Sequence, residues 1–376
     1  MKILILGAAG RAGRATISCL KTLKGIERIF LADHNAEALT KLCNDLGHLP
    51  SSPRFLDAES ERSLSERMAE ADLVLGCLGP FHRYEGRIAK AAISAGRDYI
   101  SLCDDPGAAE EAFSLDADAR AKGVRALCGC GLTPGLSNLM SCRAASHLDR
   151  VDALELAWYL EAGPNIGMAT LEHLLQAFGG KAACHKGGRE RKVRAGSWEE
   201  LVEFPPPLGW QAVYFLGHPE PATLPGAIGG VLDVWFKGGV GSRGRSLALQ
   251  SLAWMEEGGK TDLWHTALRA AAGSIARRGE GSCLSALRVT AGGERGGAAG
   301  KTVLAVVGDY YRISGLVMAA AVDQWAGGGW PTGVYPPERV LGNRAFFAWL
   351  RRNGMRFLVG EDRPDLGMEN AASMTA

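Results

Sequence analysis

The sequence lacks the features that mark membrane-spanning and nucleic-acid-binding proteins. No apolar run approaches the ~20 residues that a transmembrane helix needs. The 376-residue chain has a formal net charge of +1, and its basic residues are not gathered into the patch that a nucleic-acid binder presents. The most basic segment, residues 185–194, contains a Gly-Gly pair between candidate strands and predicts a solvent-exposed loop. We therefore expect neither a membrane span nor a nucleic-acid partner.

Paired cysteine motifs are also missing. None of the nine cysteines forms a C-x-x-C pair, and Cys128-Gly-Cys130 is spaced too tightly for the usual zinc motifs. An apolar strand begins within the first residues, so no signal peptide is expected ahead of it. These patterns predict reduced, buried thiols in a cytoplasmic protein without a metal site.

What the chain does have is a glycine-rich turn at its start. An apolar β-type run over residues 3–6 ends at Gly7, Gly10 and Gly13 follow, and helical periodicity covers residues 14–23. A strand, a glycine turn and a helix in this order let a dinucleotide pyrophosphate lie against backbone N–H groups at a helix N-terminus. The spacing is G-x-x-G-x-x-G, and the alternative is a tight turn without a ligand. The residues expected to hold the cofactor here are Gly7, Ala9, Gly10, Arg11, Ala12 and Gly13.

An acid follows at the spacing that dinucleotide folds use. Asp33 ends a second β-type run, residues 28–33, and lies 20 residues after Gly13. A carboxylate at this place accepts hydrogen bonds from the adenosine ribose hydroxyls and repels a 2′-phosphate. Asp33 therefore favours NAD over NADP as the cofactor.

Two alternatives stay open at this acid. Asp33 could instead cap the helix that begins near Asn35. His34 and Asn35 follow it where an arginine clamp for a 2′-phosphate would be expected, but Arg11 or Arg14 could still accommodate NADP. We expect His34 and Asn35 to border the cofactor.

Strands and amphipathic helices continue to alternate as far as residue 128, which predicts a parallel, doubly wound sheet. Predicted strands cover residues 3–6, 28–33, 54–56, 72–77, 98–103 and 124–128, and predicted helices cover 14–23, 36–46, 61–69, 85–95 and 108–122. Ligands in such sheets bind beyond the carboxyl ends of the strands. Further residues expected there to border the cofactor are Asp57, Cys77, Leu78, Gly79, Pro80, Phe81 and Cys103.

The pattern changes after residue 132 and predicts a second, α+β domain over residues 133–329. Its predicted strands are 151–160, 211–216, 230–237, 284–291 and 301–307, and its predicted helices are 133–147, 169–178, 246–256, 262–277 and 314–325. We expect the first domain, residues 1–132, to be completed by residues 330–360. Residues 361–376 lack apolar periodicity and predict a flexible tail. A homodimer through the second domain's sheet is the expected assembly.

Five segments together resemble the saccharopine dehydrogenase/reductase-like family, which includes lysine 6-dehydrogenase-like, carboxynorspermidine-forming and homospermidine synthase-like proteins. They are GPFHRYEG at 79–86, LCDDPGAAEE at 102–111, GLTPGLSNLM at 131–140, PLGWQAVYFLGHPEPATLPG at 207–226 and TGVYPPE at 332–338. The resemblance covers residues 1 to about 355. It implies a Rossmann domain, an α/β substrate domain and NAD(P)-dependent hydride transfer at a carbon–nitrogen bond.

The segment His218-Pro219-Glu220 is the first candidate for catalysis, in a proline-rich turn after a predicted strand. Chemistry at a carbon–nitrogen bond needs proton transfer at nitrogen, which an imidazole can perform near neutral pH. Glu220 could orient the imidazole or bind a substrate amine. The alternative is a turn in which the histidine caps a carbonyl and the glutamate is solvated. In homospermidine synthase-like members the matching histidine and glutamate are expected to contact the substrate.

Other candidates follow from the segments at the strand ends. Asp104 and Asp105 together suggest an ammonium-bearing substrate, although one acid could simply be a helix N-cap. Tyr84 could stack on the nicotinamide ring or offer its hydroxyl. Thr133 and Asn138 lie near a predicted helix N-terminus and are expected to face the substrate.

The chain is therefore expected to be an NAD(P)-dependent oxidoreductase acting on an amine, amino-acid or polyamine-like small molecule. Two alternatives stay open: a cofactor-binding sensor or scaffold without catalysis, and an oxidoreductase of a carbonyl or alkene substrate.

Overall fold

The computed structural model describes residues 1–47, 49–161, 166–257, 283–342 and 344–361. The chain divides into two compact units. Residues 1–135 and 311–341 form the first domain, and residues 136–310 with those from 342 onward form the second. No helix among the described residues is long and apolar enough to cross a bilayer.

The first domain is built on a seven-stranded, fully parallel sheet, as the alternating pattern predicts. Its strands are β1 (Lys2–Leu6), β2 (Arg28–Asp33), β3 (Ser51–Phe55), β4 (Leu73–Gly76), β5 (Asp98–Ser101), β6 (Arg125–Leu127) and β15 (Gly333–Tyr335). Its helices are α1 (Arg11–Leu20), α2 (Ala36–Asp45), α3 (Glu61–Met68), α4 (Phe81–Ser94), α5 (Pro106–Ser114), α6 (Asp116–Lys122) and α11 (Tyr310–Ala326), and a 3₁₀ turn covers Pro337–Arg339.

The strand order is β15-β6-β5-β4-β1-β2-β3, so the chain reverses its direction of travel between β1 and β4. Such a reversal is the switch point at which doubly wound sheets bind their ligands. The side chains of Asn35 and Ser60 cap the starts of α2 and α3, which is a role that asparagine and serine favour. The structure therefore confirms a Rossmann-like doubly wound domain.

The second domain carries a mixed nine-stranded sheet with the main path β10-β11-β12-β7-β13-β14-β16. Its strands are β7 (Arg150–Leu160), β8 (Lys181–Lys186), β9 (Arg189–Arg194), β10 (Glu200–Phe204), β11 (Gly209–Phe215), β12 (Asp233–Val240), β13 (Leu284–Arg295), β14 (Ala298–Asp309) and β16 (Phe357–Glu361). Its helices are α7 (Leu136–Ala145), α8 (Met168–Phe178), α9 (Glu220–Ala227), α10 (Arg243–Glu257) and α12 (Arg344–Arg352). Among the strands that the structure describes in this sheet, β7 and β12 pair in parallel and the other pairs are antiparallel.

The expected loop at residues 185–194 is wrong, because this segment belongs to the hairpin of β8 and β9. Lys186 lies opposite Arg189, and Gly187 and Gly188 between them have φ angles of 60° and 73°. Two consecutive residues in the left-handed region form a tight hairpin turn, which glycine permits without a steric cost. The charged sequence of this segment does not indicate a strand, because β9 is exposed over most of its length.

Helix boundaries also differ from the prediction. The helix predicted over 108–122 is two helices, which meet at Leu115, where ψ is 6°. Pro134 does not begin the next helix: Gly131 donates its N–H to the Pro134 carbonyl, Gly135 has φ of 117°, and α7 starts only at Leu136. The helix predicted at 262–277 and the tail after residue 361 lie outside the described residues.

The division of the chain differs from the predicted boundaries in its last third. Helix α11 belongs to the first domain, where Gly315 lies so close to α1 that a Cβ would approach the Ala15 backbone to 2.8 Å. Strand β15 extends the first sheet beside β6, whereas β16 pairs with β14 in the second sheet. Residues 342–361 therefore do not return to the first domain. The apolar pattern of α11 identifies a buried helix but not the domain that buries it.

The contact at Gly315 predicts a specific sensitivity. Replacing Gly315 with valine should lower the free energy of unfolding by roughly 1–3 kcal/mol, because the added side chain would overlap backbone atoms that cannot move aside cheaply. Urea unfolding of the variant and of wild type measures the difference. Ala326→Val, at the exposed end of the same helix, is the control and should remain near wild type. Equal stability of Gly315→Val and wild type would contradict the close packing of α11 on α1.

Candidate functional site

The glycine turn after β1 has no room for side chains at two of its three glycines. Gly7 has φ of 75°, and a Cβ on it would lie 2.8 Å from the Cys77 carbonyl oxygen. A Cβ on Gly13 would lie 2.3 Å from the Gly7 carbonyl oxygen. Gly10 differs: it is exposed, and the nearest atom to its Cβ would be the Gly7 carbonyl oxygen at 3.2 Å. Gly7 and Gly13 are therefore required by the protein's own backbone, while Gly10 leaves open space on the outside of the turn.

Helix α1 begins directly at this open space. Gly10 is its N-cap residue, and the first turn, which includes Arg11 and Ala12, contains no acidic residue. Arg14 donates from Nε to the Ala9 carbonyl oxygen at 2.9 Å and so braces the turn. The N-terminus of a helix carries partial positive charge and unsatisfied N–H donors. The turn therefore has the features of an anion site suited to a diphosphate.

Asp33 links this turn to the end of β2. It is 6 % exposed, and its carboxylate accepts the N–H of Ala9 at 3.1 Å and the N–H of Asn35 at 3.1 Å. The exposed imidazole of His34 lies 3.1 Å from the same carboxylate. Asn35, not Asp33, caps α2 by accepting the N–H of Ala38. Each carboxylate oxygen has more than one acceptor site, so these bonds still leave Asp33 able to accept a ribose hydroxyl.

The ends of β3 and β4 contribute residues of two kinds. Asp57 is exposed and accepts the N–H of Glu59 at 2.9 Å. Cys77 is buried against Thr16, and burial raises the pKa of its thiol to about 12, so this thiol is unreactive. Gly79 and Pro80 are half-buried, with Pro80 at the N-cap of α4. These positions border the sheet edge without a reactive group.

The aromatic residues after β4 pack on the first domain's core. Leu78, Phe81 and Tyr84 all contact its cluster of buried apolar side chains. The guanidinium of Arg83 lies 5.2 Å from the centre of the Tyr84 ring. Phe81 is the first residue of α4, which starts four residues earlier than predicted, so its packing role is the one that the geometry shows.

The two acids after β5 are both buried, but one of them is a helix N-cap. Asp105 accepts the Ala108 N–H at 2.8 Å as the N-cap of α5, which is the alternative that the sequence left open. Asp104 is 7 % exposed, the preceding Cys103 is fully buried, and Thr133 is 5 % exposed in the loop after β6. Asp104 is therefore the acid of this pair that is not committed to capping.

In the second domain, three polar side chains form a buried chain of hydrogen bonds. The Nδ1 atom of His218 lies 2.6 Å from Oε2 of Glu220. Oε1 of Glu220 accepts the hydroxyl of Ser137 at 2.7 Å. His218 is 2 % exposed, and Glu220 and Ser137 are fully buried. Both oxygens of this carboxylate are thus held by the protein, which contradicts the alternative of a solvated glutamate in a turn.

Neighbouring side chains hold the imidazole in place. The ring of Phe236 on β12 is stacked on His218, with centroids 4.2 Å apart and an interplanar angle of 11°. His173 on α8 meets the same ring edge-on at 5.5 Å. Asn138 donates to the Thr223 hydroxyl at 3.1 Å, which ties α7 to α9 beside the carboxylate. The imidazole therefore has one defined orientation.

Local sequence explains why the carboxylate is buried. Glu220 is the first residue of α9, with Pro219 as its N-cap residue, so the expected turn is a helix start. Ser137 and Asn138 lie in the first turn of α7, which packs against α9. With Nδ1 engaged by Glu220, the imidazole can exchange a proton only through Nε2. The arrangement can thus act as an oriented proton donor or acceptor.

The sequence assigned no site role to several of these residues. Ser137, Thr223 and Phe236 complete the His218 environment, and Glu85 is a buried acid in the first domain. The sequence offers one weak signal for two of these residues. Ser137 and Glu85 fall inside the segments 131–140 and 79–86, which resemble the family. Residue type alone does not distinguish a buried serine or glutamate from an exposed one.

Sequence comparison finds a matching family model and several similar curated proteins. The family model "Saccharopine dehydrogenase NADP binding domain" matches residues 3–127. A putative trans-acting enoyl reductase of Mycobacterium tuberculosis is 29% identical over 153 residues, which are 40% of this chain and 36% of that protein. The lipid droplet localized protein of Caenorhabditis elegans is 25% identical over 138 residues, 34% of this chain and 32% of that protein. The chain thus spans about a third of the length of these relatives.

Structural comparison extends the similarity to both domains. Apo saccharopine dehydrogenase (L-Glu forming) of Saccharomyces cerevisiae superposes with a TM-score of 0.68 at 13% sequence identity, covering 96% of this chain and 100% of that one. At this identity the likeness concerns the fold. Residues 3–127 thus match the NADP-binding domain of saccharopine dehydrogenase, and the chain as a whole has a fold similar to that of the yeast enzyme.

Proposed function

We propose that this protein is an NAD(P)-dependent oxidoreductase that acts at a carbon–nitrogen bond of an amine, amino-acid or polyamine-like substrate. The observation that carries the proposal is the buried chain from Ser137 through Glu220 to His218. Burying an imidazole and a carboxylate together costs desolvation free energy. Such buried titratable pairs cluster at functional sites.

The residues of the first domain fit a dinucleotide. The open face of Gly10 and the N-terminus of α1 would hold the diphosphate, and Asp33 would accept the adenosine ribose hydroxyls. Gly79 and Pro80, in the segment between β4 and α4, would border the nicotinamide half. When bound, the cofactor supplies or accepts hydride. Asp33 supports a preference for NAD, because its carboxylate would repel a 2′-phosphate.

His218 is the proton carrier in this proposal. In the reductive direction its Nε2 gives a proton to the nitrogen of an imine as the carbon is reduced, and in the oxidative direction it removes that proton. Glu220 stabilises the imidazolium that forms and holds the tautomer, while Ser137 holds Glu220. Asp104 is the acid proposed to pair with a substrate ammonium group, since Asp105 is committed to capping α5.

A second candidate function is reduction of a carbon–carbon double bond. It is favoured by the relatives named trans-acting enoyl reductase and by the commitment of Asp105 and Glu220 to contacts within the protein. This reaction needs the same hydride source and a proton for carbon instead of nitrogen. His218 would donate that proton, so the substrate is what separates the two candidates.

We also propose a cytoplasmic homodimer. All nine cysteines are free thiols, which supports a reducing compartment. Strand β10 ends the main path of the second sheet, and Leu201 and Trp210 on β10 and β11 are 62% and 64% exposed. An edge strand with exposed apolar side chains suits pairing with another copy. Sedimentation equilibrium should give twice the chain mass, and a monomer at micromolar concentration would contradict the dimer.

The cofactor proposal predicts a selective effect of Gly10→Ala. The protein itself nearly accommodates a Cβ at this position, so the variant should keep its thermal stability. Its affinity for NADH should fall at least tenfold, because the methyl group would occupy the space through which the diphosphate approaches the backbone. Isothermal titration calorimetry measures both wild type and variant.

Gly229→Ala is the matched control, because a Cβ there meets no atom within 4 Å. Its NADH affinity should equal that of wild type. The same calorimeter compares NADH with NADPH on wild type, and tighter binding of NADPH would contradict the role given to Asp33. Absence of binding by either coenzyme would overturn the cofactor proposal itself.

The proton-carrier proposal predicts losses that follow the hydrogen-bond chain. His218→Gln should reduce turnover by roughly 10²- to 10⁴-fold. Glu220→Gln should show a large loss, and Ser137→Ala a smaller one. Turnover is followed by NADH absorbance with amines plus 2-oxo acids and, separately, with enoyl thioesters. His147→Gln, an exposed histidine at the end of α7, is the control and should keep full activity.

The outcomes distinguish the candidates. Turnover of enoyl thioesters alone would select the second function. Unchanged activity in His218→Gln would remove the proton-carrier role under either function. Binding of NADH without turnover of any substrate pair would leave a cofactor-binding sensor as the remaining interpretation.

A further inference from the structure

Three side chains with metal-ligating atoms meet in the core of the first domain. Glu85 of α4, Cys103 after β5 and Cys128 after β6 have ligand atoms that all lie within 4.8 Å of one another. The three residues are 1%, 0% and 2% exposed. The proposed reaction assigns none of them a chemical role, so this cluster, here called the Glu85 cluster, needs its own explanation.

The parallel sheet brings these residues together. Strands β5 and β6 are neighbours in register, with Ile100 opposite Leu127, and each continues into a cysteine beyond its carboxyl end. Helix α4 packs on β5 and presents Glu85 from its buried face. The ligand set is therefore formed by three segments that are far apart in sequence. For this reason no C-x-x-C motif indicates the cluster.

The ligand types match one class of metal ion. Two thiolates and a carboxylate are ligands of Zn²⁺, which binds them at about 2.3 Å and about 2.0–2.2 Å in tetrahedral sites. These bond lengths correspond to ligand–ligand separations of about 3.3–3.8 Å. The Sγ atom of Cys128 already lies 3.6 Å from Oε1 of Glu85. The Ser101 hydroxyl donates to the same oxygen at 2.6 Å and would hold the ligating carboxylate in place.

Glu85 lies among neutral polar groups. Within the parts of the chain that the structure describes, it forms no ion pair, and its hydrogen-bond partners are the groups of Ser101, Tyr99 and Cys128. No protein cation in those parts thus competes with a metal ion for this carboxyl group.

We propose that Glu85, Cys103 and Cys128 form a binding site for a thiophilic divalent cation of the zinc class. The site joins α4 to the carboxyl ends of β5 and β6. This inference goes beyond the oxidoreductase function and does not depend on it. It also replaces the expectation of a chain without a metal site, which rested on local cysteine spacing.

Cadmium titration of the full chain tests the proposal, since Cd²⁺ reports thiolate ligation by an ultraviolet charge-transfer band. Wild type, stripped with a chelator, should bind one Cd²⁺ per chain with this band, and Zn²⁺ should displace it. Cys103→Ser and Cys128→Ser should each abolish the band. Glu85→Gln should weaken binding at least tenfold, because one ligand is lost.

Cys130→Ser is the matched control. Cys130 is equally buried in the same domain, and its thiol contacts the Val317 carbonyl oxygen instead of the Glu85 cluster. This variant should bind Cd²⁺ like wild type. A missing band in wild type, or a band that persists in Cys103→Ser and Cys128→Ser, would overturn the site.

A measurement on wild type alone covers the case in which these variants do not fold. Alkylation followed by peptide mass mapping should show Cys103 and Cys128 protected by Zn²⁺ under mildly denaturing conditions, while the half-buried Cys43 reacts equally with and without Zn²⁺. Equal alkylation of Cys103 and Cys128 in both conditions would show that the cluster is a neutral hydrogen-bonded network and not a metal site.

Discussion

The close contact between the start of α1 and the backbone of the glycine turn is the constraint on which the geometry of the first domain's candidate cofactor site depends. Gly13 has no side chain, so the helix can approach Gly7 and Ala8 to a distance that any Cβ would prevent. This contact places the N-terminus of α1 at the carboxyl edge of β1, beside Asp33. The positive end of the helix and the open face of Gly10 then coincide with the switch point of the sheet.

The second domain depends on a different constraint, which is that buried polar groups must be satisfied. Glu220 is fully buried and remains so because Ser137 and His218 each engage one of its carboxylate oxygens. The same requirement orients the imidazole, which Phe236 then covers on one face. The pairing with this carboxylate fixes the orientation of the ring. The geometry of the cluster thus follows from the need to satisfy the hydrogen-bond acceptors of one glutamate.

Local signals predicted much of the first domain because its elements follow local rules. The predicted run 28–33 and strand β2 have the same bounds, and the predicted helix over 61–69 is α3 to within one residue. Predictions failed where a neighbour far along the chain decides the outcome. The charged strand β9 pairs only because Gly187 and Gly188 let the chain return onto β8. Helix α11 belongs to the first domain because Gly315 fits against α1, a contact that no local pattern contains.

The sequence by itself determined the class of fold, the glycine turn, Asp33 and the pair His218 and Glu220, because each is expressed in residue type and spacing along a short stretch. Only the tertiary structure decided what these residues touch. It joined Ser137 to Glu220 and gathered Glu85, Cys103 and Cys128 into one cluster. The physical reason is that hydrogen bonds and ligand distances are short-ranged in space, whereas the residues that form them lie tens of positions apart in the chain.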